Sequence, residues 1–440
     1  MTNNIIVKYG DDQTGVYVID NFILSASVIQ ETRKIATELP ASTMDLELDV
    51  KDWPDFEFVV KKPIYVYRDD TVVQKTFITD AKKTTQYRWT IKSTDYIGMM
   101  DYLTYDGKYY YQQKFEKVIE DIFYNTNIPY IIDPYAKDIL VSGNVSAGTV
   151  RSALQEICFS FGLCATTANC DGVFVRRLSD EISQTIGRER IMKGISFEKK
   201  ETITKLSIGY SNVITIDESK TVTQAFSPDF IRENLGKWVT IELEEPGEFQ
   251  SSNVVGNFYR FYTAGGNEGQ LPLFTEFTST PNNVNAKLIS SLRPAIEEGI
   301  NTLGDGWLAF YVYPYTSAEG GVLVKDNPVE TDFPFVNEVA LKSLGTMTSE
   351  NAQVALDRIF DNLTIGLKIR AKIIDGRNYL LYGSFKFGSN TYGYDYQQPV
   401  NIGEMVNIET ENNGLQTGFV QKASYKLYGS TKIVKDCEIV

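Results

Sequence analysis

The chain has 440 residues, of which 43 are Lys or Arg, 57 are Asp or Glu and none is His, for a net charge of -14. That length calls for two to four domains of about 100 to 150 residues each. The acidic balance works against nucleic acid or an anionic membrane as the main partner, because the most basic runs, Arg176-Arg177 and Arg188-Glu189-Arg190, are too short and mixed to neutralise a row of phosphates. Without histidine, Ser-His-Asp and Cys-His catalysis, imidazole metal ligation and histidine pH switching are all excluded together.

In chain order, the first clear pattern is Met44, Leu46, Leu48 and Val50 alternating with Asp45, Glu47 and Asp49, the period of a half-buried strand. Trp53-Pro54-Asp55 punctuates the chain. Lys62-Pro63 then opens a strand through Arg68, Asp69-Asp70 turns, and Thr71 to Thr79 returns as its hairpin partner. Tyr87 to Lys92 alternates again, so the segment Ala41 to Leu103 reads as a small antiparallel barrel or sandwich leading into a helix.

From Gln113 to Asn127 the period becomes helical, with Phe115, Val118, Ile119, Ile122 and Phe123 on one stripe. Tyr109-Tyr110-Tyr111 just before it reads as an anchor for that helix, with a stacking platform for sugars or bases as the alternative. Pro129 stops the helix and Tyr130 to Ile132 is a short strand. A second helix is expected over Thr149 to Phe161, capped by Ser146 or Thr149, turning Val150, Ala153, Leu154, Ile157, Cys158 and Phe161 inward and ending at Gly162. A hairpin, Leu163 to Ala168 with Val173 to Arg177, completes a small α/β module.

Ser179 to Lys193 reads as a polar linker. Strands resume at Ile203 to Tyr210, Val213 to Ile216 and Trp238 to Leu243, taken as the start of a second barrel. Gly247 to Gly269 is rich in Gly and Asn, and Val284 to Leu303 is a helical candidate on the recurrence of Leu288, Leu292, Ile296 and Ile300, against which Pro294 counts. Ser349 to Asn362 reads as a helix with Ser349 at the N-cap and Ala352, Ala355, Leu356, Ile359 and Phe360 inward. The tail is strand: Leu367 to Ile373, an Asp375-Gly376 turn to Tyr379–Phe387, then Glu404–Thr410 paired through Asn412-Asn413-Gly414 with Gln416–Ala423, and finally Lys432–Val440.

No constellation marks an active site. Glu242, Glu244, Glu245 and Glu248 supply the carboxylates a glycosidase needs, but one strand end and loop reads better as a solvated acidic edge. Asp11-Asp12 and Asp69-Asp70 lack the spacing of a calcium loop. Tyr392-Gly393-Tyr394-Asp395-Tyr396 suits sugar stacking or a subunit interface equally, and the interface is preferred. Cys158, Cys164, Cys170 and Cys437 show no Cys-x-x-Cys pair and are expected as reduced thiols, and no window resembles a signal peptide or a membrane span. No catalytic, cofactor or metal residue is assigned, and no enzyme activity is expected.

The order of elements resembles the baseplate hub, or tail-tip hub, proteins of tailed phages and related contractile injection systems. The resemblance is carried by Ser42-Thr43-Met44-Asp45-Leu46-Glu47-Leu48-Asp49 followed by Lys62-Pro63-Ile64-Tyr65-Val66-Tyr67-Arg68, where Lys61-Lys62 stands in place of the family's Gly-Asp. It continues in Trp89 to Asp101, a strand running through Asp95 into an apolar helical stub, in the two-helix insert, and in the closing strands Asn401–Ile408 and Gly418–Tyr425. It covers about residues 1–245 and 365–440.

The fold it implies is α+β, mainly β: a first hub β-barrel over 1–103, an inserted α/β module over 104–180, a second barrel from 194–245 plus 364–440, and a further mixed insertion over 246–363. The implied function is architectural. Three chains would form a homotrimeric ring of six similar lobes, adapting the tail tube or distal tail protein and the end of the tape-measure protein to a central spike or fibre, in a virion tail assembled in the host cytoplasm. A cell-wall glycosidase or a carbohydrate-binding adhesion component of the tail tip is the alternative.

Overall fold

The computed structural model describes residues 5–11, 15–53, 55–68, 71–192, 195–199, 202–263, 265–292, 302–328, 336–342, 344–363, 367–377, 386–387, 390–391, 399–410, 414–427 and 432–440. Its largest element is one open sheet of thirteen strands. The path runs Ser196–Lys199, Leu367–Arg377, Lys432–Ile439, Gly414–Lys426, Ile23–Glu31, Thr43–Asp49, Arg88–Thr94, Thr71–Lys83, Pro63–Arg68, Ile5–Asp11, Gly15–Val18, with Met405–Thr410 and Ile182–Ile186 joined to the side of Gly414–Lys426.

The first half of this sheet is built as its alternation dictates. Met44, Leu46, Leu48 and Val50 are buried while Asp45 is exposed, and they pack with Val28, Ile64, Val66, Ile78 and Ile91. The Pro63–Arg68 and Thr71–Lys83 hairpin is present in antiparallel register. The second half has its own core, in which Ile369, Ala371, Ile373, Val406, Ile408, Val420 and Ile439 meet. The two halves are not separate closed barrels, because Ser27 to Glu31 pairs antiparallel with Lys422 to Lys426 and makes them one sheet. Ser179 to Lys193 is more than a linker: Ile182–Ile186 within it forms a parallel ladder with Met405 to Ile408. The Asp375-Gly376 turn is absent, since the Leu367–Arg377 strand continues through it, with Gly376 opposite Ile433. Tyr379 to Phe385 and Tyr392 to Tyr396 lie outside the described residues.

The α/β module meets this sheet at the Thr71–Lys83 strand, where the Asn169 amide bonds the Val73 carbonyl at 2.9 Å. Its helix Phe115–Ile122 is shorter than expected at both ends, because Gln113 and Lys114 belong to the strand Lys108–Lys114. Helix Val150–Ser160 is capped by Thr149, whose hydroxyl accepts from the Ser152 amide at 3.1 Å, and ends at Gly162 with φ of +63°, a conformation that favours glycine. Its face buries Val150, Ala153, Leu154, Ile157 and Cys158 as read from the sequence. The hairpin Cys164–Thr166 with Val173–Arg176 takes Tyr130–Ile132 as a parallel third strand. Helix Ser349–Leu363 joins the same core through Ala352, Ala355, Leu356 and Ile359. Its first turn is served by Thr348 rather than Ser349, through the Asn351 amide to the Thr348 hydroxyl at 3.4 Å.

A fourth core is assembled from residues 226 to 312. The strand Trp238–Glu242, expected in the second barrel, pairs instead with Asn283–Leu288, and that segment is strand where a helix was expected. Val284, Ala286 and Leu288 are buried at alternate positions. Ile289 to Leu292 are not helical either, and Arg293 to Asn301 lie outside the described residues. A long strand, Thr302–Asp326, links this lobe to the body: its first part pairs with Val254–Tyr262 and Lys220–Phe226, its last part with Lys205–Thr215. The two strands expected at Ile203–Tyr210 and Val213–Ile216 are one, Lys205–Thr215, with an irregularity between Tyr210 and Ser211.

Candidate functional site: a buried carboxylate and the surfaces around it

Asp95 sits where the first half of the sheet meets the α/β module. The strand Arg88–Thr94 ends on it and a single helical turn, Tyr96–Met99, starts after it, so its extended backbone and short acceptor side chain make it the N-cap. One carboxylate oxygen accepts from the Gly98 amide at 3.1 Å. The other accepts from the Ser42 amide at 2.9 Å and the Thr167 hydroxyl at 2.5 Å. Three segments far apart in sequence thus converge on one fully buried side chain: the lead-in to Thr43–Asp49, the helical stub, and the end of the Cys164–Thr166 strand.

Burial pushes the Asp95 carboxyl above the ordinary carboxylate range, while the bonds from Thr167, Ser42 and Gly98 pull the other way and only partly compensate. A group so placed, fully buried and with both oxygens supplied with donors by the protein itself, is a structural keystone. Gly98 is required beside it, because a Cβ there would lie 2.0 Å from the Thr94 hydroxyl. The same junction is reinforced by Lys75, whose ammonium bonds Asp171 at 2.7 Å and lies over the rings of Tyr65 and Tyr96. Burial alone would lower the Lys75 pKa; the partners Asp171 and Tyr96 outweigh it and hold the ammonium charged.

The surfaces set up by this framework are of two kinds. The open sheet ends in Gly15–Val18, where Val16 and Val18 face solvent while Tyr17 packs edge-on against Trp53 and Phe56, and at the other end in Ser196–Lys199, exposed along its length. The lobe presents Trp307, Tyr311 and Tyr313 on one face of its long strand, the opposite face burying Leu308, Phe310 and Val312. Exposed edges and aromatic faces of this kind are what protein partners cover. Neither was singled out by sequence reading; the alternating Gly15-Val16-Tyr17-Val18 and Trp307 to Tyr313 patterns were the available signals.

The sequence candidates fall elsewhere. Glu242, Glu244, Glu245 and Glu248 are all exposed on the lobe: Glu242 ends a strand, Glu245 pairs with Lys220 at 2.5 Å, and Glu248 lies opposite Tyr313 in the ladder. Asp11 bonds Lys62 at 2.7 Å, whereas Asp12, Asp69 and Asp70 lie outside the described residues. Among the described residues no group of three or more Cys, Asp or Glu is disposed to hold a metal, and no helix is long and apolar enough to cross a membrane. Cys158, Cys164 and Cys437 are buried and form no disulfide, and burial pushes the Cys164 thiol up to about 12. The Tyr109-Tyr110-Tyr111 triplet divides its work: Tyr110 is buried with its hydroxyl 2.9 Å from that of Tyr105, while Tyr111 stacks on Tyr315 of the lobe.

No family model and no curated protein matches the chain. Among solved structures, a tail protein from Neisseria meningitidis MC58 superposes with a TM-score of 0.53 at 7% identity, covering 100% of this chain and 96% of the other. The 43 kDa tail protein of prophage MuSo2 from Shewanella oneidensis gives a TM-score of 0.52 at 9% identity, covering 99% and 98%. The chain has the fold of these phage tail proteins. Because the match runs end to end in both partners, the lobe and the α/β module belong to the shared architecture, and the resemblance to the tail-tip family drawn from element order agrees with it.

Proposed function

We propose that this chain is a structural subunit of a phage tail tip, a baseplate hub that forms a homotrimeric ring and adapts the tail tube or distal tail protein and the tape-measure end to a central spike or fibre. The observation that carries the reading is the end-to-end likeness of fold to two phage tail proteins. The open thirteen-stranded sheet adds to it, since among the described residues its two terminal strands lie at sheet edges, where a neighbouring protein can add a strand. In this reading the two halves of the sheet, each with its own core, are the two similar lobes that three chains repeat around a ring. The protein acts by binding, in the virion, and catalyses nothing itself.

Native mass spectrometry of the purified chain, alone and with a tail-tube partner, tests this. Three copies are expected in at least the second condition. A monomer that joins no tail component in either would overturn it.

A further inference from the structure

The stretch 216–315 is attached to the body in an unusual way. It has a core of its own, running from Phe226 to Val312, and it grows out of the ribbon formed by Lys205–Thr215 and the last part of Thr302–Asp326. The base of that ribbon is fastened to the body. Ser211 bonds the Met347 and Leu344 carbonyls at 2.7 and 3.0 Å, Ser317 bonds the Gly345 carbonyl at 2.7 Å, and the Tyr109 hydroxyl bonds the Thr316 carbonyl at 3.5 Å.

Beyond Thr215 and Tyr315 these fastenings stop. Among the described residues no ion pair joins the stretch 216–315 to the body, and its hydrogen bonds and ring contacts to the body converge on a single residue, Tyr111. The Tyr111 ring stacks on that of Tyr315, with centroids 4.6 Å apart and planes 17° apart. The Tyr111 carbonyl accepts from the Asn282 side-chain amide at 3.0 Å. At the same point the long strand carries Pro314, which has no N–H to give to a ladder; its carbonyl accepts from the Ile216 amide at 2.8 Å, and the next amide, that of Tyr315, bonds the Pro246 carbonyl at 2.9 Å, so these bonds lie within the arm and not to the body. A two-stranded ribbon resists bending far less than a packed sheet.

We propose that the stretch 216–315 is a latched arm: it turns about the ribbon end at Thr215 and Tyr315, and Tyr111 holds it in the orientation of this structure. Stacking and one hydrogen bond are small attachments for a lobe of this size, so release needs no unfolding on either side. A partner that bears on the aromatic face of the lobe, or that displaces the Tyr111 ring, shifts the balance between latched and released positions. The device stands independently of the tail-hub reading.

The test is a distance distribution between spin labels on Thr278→Cys in the lobe and Tyr124→Cys in the α/β module, in the full chain with Cys170→Ser to remove the one half-buried native thiol. The native pairing of rings should give one narrow distribution. Tyr111→Ala should raise the released population roughly two- to tenfold, seen as broadening or a second distance. Asn282→Ala should give a smaller change, and Tyr111→Phe, which keeps the stack and the carbonyl, should match the native chain. Tyr315→Leu removes the same stack from the lobe side and serves where Tyr111→Ala fails to fold. An unchanged narrow distribution in both stack-removing variants, or a native distribution already as broad as theirs, would overturn the proposal.

Discussion

Asp95→Ala should cost more stability than any other single truncation at the junction of sheet and module. The change leaves the Ser42 and Gly98 amides and the Thr167 hydroxyl without the acceptor they share, all in a site closed to water. Each buried donor so orphaned costs about 1–3 kcal/mol. Part of that is offset, because the burial that pushes the carboxyl upward is also relieved. The three donors win, and a net loss of about 3 kcal/mol is expected. Asp95→Asn keeps one acceptor oxygen and should lose about half as much. Urea denaturation followed by fluorescence measures the loss, and amide exchange locates it at Ser42 and Gly98. The pH dependence carries a sign: a carboxyl held above its unfolded pKa contributes stability that is full below the unfolded value and is lost as pH rises through the native one. The native chain should therefore fall relative to Asp95→Asn as pH rises out of the ordinary carboxylate range. An Asp95→Ala protein with the native urea midpoint and unchanged exchange at both amides would refute the keystone argument.

Leu154→Asp removes a fully buried side chain from the Val150–Ser160 helix and puts an unpaired carboxylate in its place, so at least 4 kcal/mol should be lost, to order of magnitude, and soluble expression with it; native-like yield and melting temperature would show the helix face to be misassigned. The purified chain should release no sugar ends or peptides from host cell-wall material, and turnover that vanishes on changing one Glu or Asp, with folding intact, would favour the glycosidase instead.

Most of the first half of the sheet was legible because its strands are half-buried and alternate cleanly. Ile23–Glu31 was missed although it sits at the middle of the sheet. Its apolar alternation is broken by a buried polar residue, Gln30, which is tolerated inside because its amide bonds Gln74 at 2.9 Å, a partner no local window contains. The misreading of Val284–Leu288 has a geometrical cause. Leu288, Leu292, Ile296 and Ile300 recur every four residues, which suits one face of a helix, but four is also an even number and suits one face of a strand. The intermediate residues decide, and Ala286, buried between Val284 and Leu288, marks the period of two. Asp95 was legible as a polar residue before an apolar stub, which is N-cap chemistry; that Thr167 would complete its shell was not, since only the folded chain brings them together.

That the two halves share one open sheet bears on the proposed role. The Gly414–Lys426 strand sends Val420 and Ala423 into the C-terminal core and Tyr425 into the first core, so one strand serves both. Its partner across the joint, Ser27 to Glu31, is nearly the whole chain away in sequence. Such a pairing leaves no local signal, and loop closure on that scale must precede any gain from it. Once formed, it joins the two halves by a row of backbone hydrogen bonds rather than by side-chain contacts alone, so neither can turn freely on the other. The lobe at 216–315 is the opposite case, carried on a ribbon and held by one tyrosine. A rigid two-lobed sheet carrying a movable arm suits the ring subunit proposed above, which must hold its neighbours in fixed register while one surface adjusts to a partner.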